Sequence, residues 1–96
     1  MKIENIGHKG LRRFFETGNP KGLVGDTGRL GKMLAFIDAA ADLEELGTPP
    51  NYGLHQLTGD RKGTWSMTVT KNWRMTFRLN DEGALTDMEL EDYHGS

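Results

Sequence analysis

The chain has 96 residues, no cysteine and a formal charge of −2. That length suits a single domain over residues 1–96 with a modest core, and the missing cysteine excludes disulfides and thiolate-bound metal. The opening MKIENIGHKG lacks the apolar run of a signal peptide and no segment is long enough to span a membrane, so a cytoplasmic protein without a membrane partner is expected.

Charge is segregated along the chain. Residues 1–35 carry net +4, residues 36–50 net −4, residues 51–80 net +4 and residues 81–96 net −6. Such blocks can build a polyanion site beside acidic patches, or neutralise one another across the fold.

Lys2 to Ile6 is expected as a short edge strand. His8 to Glu16 reads as a helix, because Leu11, Phe14 and Phe15 share one face and Gly18 supplies a stop. The basic, glycine-containing loop to Gly25 matches no phosphate-binding glycine motif. A second helix starts at Asp26 or Thr27 and presents Leu30, Met33, Leu34, Ile37 and Ala41 at helical spacing. It is expected to run to about Ala41 or on through Leu46, with Asp42, Glu44 and Glu45 at its unfavourable C-terminal end.

Beyond Pro50 the period changes to two. Trp65, Met67 and Val69 alternate with Ser66, Thr68 and Thr70, and Trp73, Met75, Phe77 and Leu79 alternate with Arg74, Thr76 and Arg78. These are half-buried strands, with Trp65 and Trp73 on the core side and the polar parity open to solvent or a partner. A two-residue turn would pair Val69 with Arg74 and mix the faces. The loop Thr70, Lys71, Asn72 instead pairs Val69 with Trp73 and Met67 with Met75, with Asn72 expected at positive φ. A four-residue turn at 80–83 then pairs Met75 with Met88, Trp73 with Leu90 and Arg74 with Glu89.

The polar groups able to do chemistry are few. His55, Tyr93, His94 and Asp92 suit proton transfer, and Arg74, Arg78, Arg61 and Lys62 suit an anionic substrate. Ordinary roles compete: a cross-strand ion pair for Arg74, solubilising charge for Arg61 and Lys62, a frayed end for His94. A zinc site from His8, His55 and His94 lacks paired-histidine spacing, and no metal or organic cofactor is expected.

The runs LHQLTGDRKGTWSMTV and NWRMTF, the closing EDYH and the opening HKGLRRFFETG resemble the HigB-type toxins of the RelE superfamily over almost the whole chain. The resemblance implies an α+β fold, a small antiparallel-rich sheet with two or three N-terminal helices packed on one face. It implies a toxin of a type II toxin–antitoxin system, a ribosome-dependent endoribonuclease that cleaves mRNA by 2′-hydroxyl attack and so inhibits translation. Its implied partners are a HigA-type helix-turn-helix antitoxin, mRNA on the ribosome, and operator DNA through the antitoxin complex alone. By the family motifs His55, Asp92, Tyr93 and His94 form the acid/base group, with base and acid unassigned. Arg74 stabilises phosphate, and Arg61, Lys62 and Arg78 contact RNA. Gly95–Ser96 are candidates for a cloning remnant. The chain departs from many relatives in having Thr58 in place of a lysine. That departure keeps open an alternative, a non-cleaving binding module acting on the ribosome or in DNA-bound autoregulation.

Overall fold

The computed structural model describes all residues except 24 and 93–96. Among the described residues, helices α1 (Lys9–Thr17), α2 (Thr27–Ala39) and the short α3 (Leu43–Leu46) precede an antiparallel meander. Its strands β1 (His55–Gln56), β2 (Trp65–Thr68), β3 (Trp73–Leu79) and β4 (Leu85–Asp92) are neighbours in that order. This is the α+β architecture expected of the sequence. No helix among the described residues is long and apolar enough to cross a membrane.

Each helix is punctuated as its sequence dictates, with one exception. His8 caps α1, its Nδ1 accepting the Leu11 N–H at 3.0 Å, and Gly18 ends it at φ 78°. Asp26 caps α2 by accepting the Arg29 N–H at 2.9 Å. The exception lies at the far end of α2. The backbone leaves the helix in an extended conformation at Ala40, which is buried in place of the expected Ala41. A separate helix then starts, with Asp42 accepting the Glu45 N–H and Glu45 accepting the Ala41 N–H. The acids Asp42, Glu44 and Glu45 therefore occupy a helix start, where negative charge is favourable, and not the end of α2.

The helices cover the apolar face of the sheet. Leu11, Leu30, Met33, Leu34, Ile37 and Leu46 meet Met67, Val69, Met75, Phe77, Leu85, Met88 and Leu90 in one core, with Trp65 and Trp73 half-buried against its margin. Arg29 ties α2 to the β2–β3 turn, its Nε donating to the Val69 carbonyl and its guanidinium lying 5.5 Å over the Tyr52 ring.

Register decides which polar groups meet. Between β2 and β3 it is as expected, Trp65 opposite Phe77 and Met67 opposite Met75, and Val69 N–H donates to the Trp73 carbonyl at 2.9 Å. The positive φ expected at Asn72 is absent. Val69 and Thr70 both donate to the Trp73 carbonyl, and this bulge turns the chain without a left-handed residue.

Between β3 and β4 the register differs from expectation by two residues. Met75 faces Leu90, Trp73 faces Asp92, and Arg74 faces Glu91 in place of Glu89. Two features cause the shift. The turn closes at Asn80 and Ala84, and a bulge sets Asp87 and Met88 against the single residue Phe77. Asp87 stands at φ 53°, a conformation aspartate tolerates, and its N–H is held by the Asn5 side chain at 2.5 Å. The N-terminal segment runs parallel to β4 through bridges at Ile3–Leu85 and Ile6–Met88, an edge of two contacts and no continuous strand. Because the shift is even, the apolar face survives it.

Candidate active site

On the side of the sheet away from the helices, strand pairing lines up His55, Ser66, Thr76 and Glu89 in one row across all four strands. The row beside it holds Thr68, Arg74 and Glu91. This polar parity is not simply open to solvent as expected: Ser66 and Thr76 are fully buried and Thr64 nearly so. Side chains lie over it.

The centre of the cover is Glu91. Arg61 donates from Nη1 and Nη2 to its two carboxylate oxygens at 2.7 and 2.5 Å, Thr76 Oγ1 donates to Oε2 at 2.6 Å, and Arg74 Nη2 donates to Oε1 at 3.3 Å. Arg61 reaches this point from the one-turn 3₁₀ helix Gly59–Arg61 between β1 and β2, so its side chain spans the sheet face. The Arg61 hydrogen bonds, helped by Thr76 and Arg74, outweigh partial burial and hold the Glu91 carboxyl down at about 2, while Glu91 raises the Arg61 pKa.

This shift has a measurable consequence for stability. Glu91 titrates lower in the folded chain than its ordinary 4.5, so its contribution is fully present above pH 4.5 and is lost as pH falls towards 2. Because the Arg61 side chain is 43 % exposed, solvent screening limits that contribution to about 1–2 kcal/mol. Chemical denaturation of wild type and Glu91→Gln across this range should show the two curves converging as pH falls. A constant separation would exclude the coupling.

The other expected site residues fall around this cluster. His55 is exposed at the edge strand, and its Nδ1 lies 2.9 Å from the Gly53 carbonyl. A carbonyl only accepts, so Nδ1 is the donor, and Nε2 is the ring nitrogen left for another partner. Arg78 flanks the face, donating to Thr64 Oγ1 at 3.3 Å and lying over Gly63. Lys62 is exposed at the loop tip, as is Thr58 just before the 3₁₀ turn. Asp92 pairs with Trp73, so strand alternation sends it to the opposite face from Glu91 and Arg74. Tyr93 and His94 lie outside the described residues.

Two members of this cluster were not legible in the sequence. Glu91 was hidden because the turn closure and the bulge at Asp87 together make it, and not Glu89, the partner of Arg74. Thr76 looked like ordinary strand polarity. No group of three or more His, Asp and Glu among the described residues is placed to hold a metal ion. A cavity of about 290 Å³ between α1 and α2 is lined by Phe14, Phe15, Leu34 and Ala35, with Asp38 its one titratable group. It offers no cation for a polyanion.

The fold and this arrangement can be set beside known proteins. The sequence profile described as RelE-like toxin of type II toxin-antitoxin system HigB matches residues 4–94. The chain belongs to the HigB-like toxin family. It is 42% identical over 93 residues to the Endoribonuclease HigB of Proteus vulgaris, covering 96% of this chain and 99% of that one. Its fold is similar to the crystal structure of YafQ from E. coli strain BL21(DE3), with a TM-score of 0.60, 18% identity and 96% of each chain covered. As a toxin of a type II system, this HigB-like chain has an antitoxin partner. The resemblance read from LHQLTGDRKG, NWR and EDYH thus stands at the level of the whole family.

Proposed function

We propose that the polar sheet face is where this toxin cuts messenger RNA held on the ribosome. The chain is a HigB-type toxin and an endoribonuclease. In the reaction, a 2′-hydroxyl attacks the adjacent phosphorus, its proton passing to a base. The 5′-oxygen of the next nucleotide leaves with a proton from an acid, and a 2′,3′-cyclic phosphate remains. The crowded phosphorus gains negative charge on the way, which preorganised cations stabilise more than they stabilise the starting diester.

The observation that carries this reading is the convergence of Arg61, Arg74 and Thr76 on one pair of oxygens, on the face that also presents His55 Nε2. His55 is two strand spacings across and two residues along from Arg74, roughly 12 Å between backbones, a distance that side chains from both can close around one nucleotide. In this scheme His55, Tyr93 and His94 share the proton transfers and Arg74 stabilises the phosphorane. Asp92, on the other face, orients the end of β4. Arg61 supplies the cation that Thr58 does not, and Lys62 and Arg78 contact the RNA backbone.

The wider setting belongs to the same proposal. The toxin acts in the cytoplasm on translating ribosomes, and a HigA-type helix-turn-helix antitoxin silences it and carries it to operator DNA. Thr58, exposed and uncharged, favours the competing reading of a binder that stalls ribosomes without cutting. Primer extension on messages from cells expressing the toxin separates the two. Discrete, codon-phased 5′ ends are expected; arrested translation with intact messages would overturn the cleavage proposal.

A further inference from the structure

An RNA-binding face whose central carboxylate takes up its cations poses a problem that a structural ion pair does not explain well. A single bidentate arginine would satisfy a carboxylate, yet here two arginines and a threonine all spend donors on Glu91. We infer that Glu91 is a resident stand-in for phosphate: Arg61, Arg74 and Thr76 form a subsite for one RNA backbone phosphate, and RNA must displace the Glu91 carboxylate to occupy it. The inference rests on the polar sheet face being the RNA-cleaving centre.

Geometry supports the exchange. A carboxylate presents two oxygens to the guanidinium fork, and the two non-bridging oxygens of a phosphodiester present the same bidentate target. The fixed half of the subsite is rigid, since Arg74 and Thr76 sit inside β3, with the Arg74 side chain only 16 % exposed and Thr76 fully buried. The movable half is Arg61, which is 43 % exposed on a short loop bounded by Gly59 at φ 69° and Gly63 at φ 96°. Swinging Arg61 between a carboxylate and a phosphate therefore needs no change in the sheet.

Charge gives the exchange its meaning. With Glu91 in place the cluster carries one net positive charge, and without it two, so the carboxylate weakens the pull on a lone RNA strand. Binding then depends on RNA being delivered at high effective concentration, as on a ribosome. Glu91 thereby sets the affinity of the site for free RNA, independently of the groups that move protons.

The test is equilibrium binding of a short 2′-O-methyl oligoribonucleotide, which cannot be cut, to the intact toxin at a series of low salt concentrations. Glu91→Gln keeps the shape and an acceptor for Thr76 but removes the charge, and Glu91→Ala serves as a second variant should the first fold poorly. Both should bind on the order of tenfold more tightly than wild type. The slope of log K against log salt should steepen by about 0.7, because one more cation faces the strand without a resident carboxylate to neutralise it. A residue that merely braced the arginines would weaken binding when replaced and leave the slope unchanged or shallower.

Arg61→Ala and Arg74→Ala, measured alongside, separate the role of Glu91 from the existence of the RNA-binding face. If both weaken binding while neither Glu91 variant tightens it, the RNA-binding face stands and the role given to Glu91 is overturned. If none of the four substitutions alters binding, or none of the proteins binds, the inference and the reading beneath it both fail.

Discussion

Arg74→Ala is expected to slow message cleavage on programmed ribosomes by about 10²–10³-fold, the usual cost of removing one donor aimed at developing charge. The size of the effect is what distinguishes catalysis from structure. If Arg74 only paired with Glu91 across the strands, its loss would cost stability alone, about 1–2 kcal/mol for a partly buried pair, and would slow cleavage only through the unfolded fraction. Glu91 would also keep Arg61 and Thr76 as partners, so no carboxylate would be stranded. Single-turnover cleavage should therefore collapse while most of the protein stays folded. An activity loss that tracks the fraction unfolded would return Arg74 to a structural role. Arg74→Lys should recover only part of the rate, because an ammonium keeps the charge but not the planar fork.

The second large effect is expected at the chain's closing motif. Tyr93→Phe and His94→Ala should each relieve growth arrest, with cleavage falling about 10²–10⁴-fold, the range for removing a positioned proton donor or acceptor. Folding and antitoxin binding should be unchanged, because Met67, Met75, Phe77, Leu85 and Met88 already form a fully buried core among the described residues. Killing by both variants at the wild-type rate would remove Tyr93 and His94 from the acid/base group. The His55 ring would then have to move both protons.

These expectations bear on why an acidic C-terminal segment belongs to an RNA-cutting toxin. Residues 81–96 carry net −6, which by itself would repel a phosphate backbone. The structure neutralises the acid nearest the site with Arg61 and Arg74, while Arg78 is directed to Thr64. Glu89 lies over Gly7, where any side chain would meet its carboxylate, at the side of the row far from His55.

What the sequence determined by itself was everything that depends on local periodicity. Alternation from Trp65 to Leu79 set the strands and the β2–β3 register, because a one-residue slip would carry Met67, Met75 and Phe77 out of the core. Helical spacing and caps placed α1 and α2, and the motifs around His55, Arg74 and the closing EDYH pointed to the family. A two-residue shift costs none of this, since it returns every side chain to the same face, and so the pattern could not tell Glu89 from Glu91. That choice was tertiary. It needed the positive φ of Asp87 and the Asn5 side chain holding the bulge from 82 positions away in the chain, and it was Arg61, crossing the sheet from a loop, that made Glu91 the centre of the site.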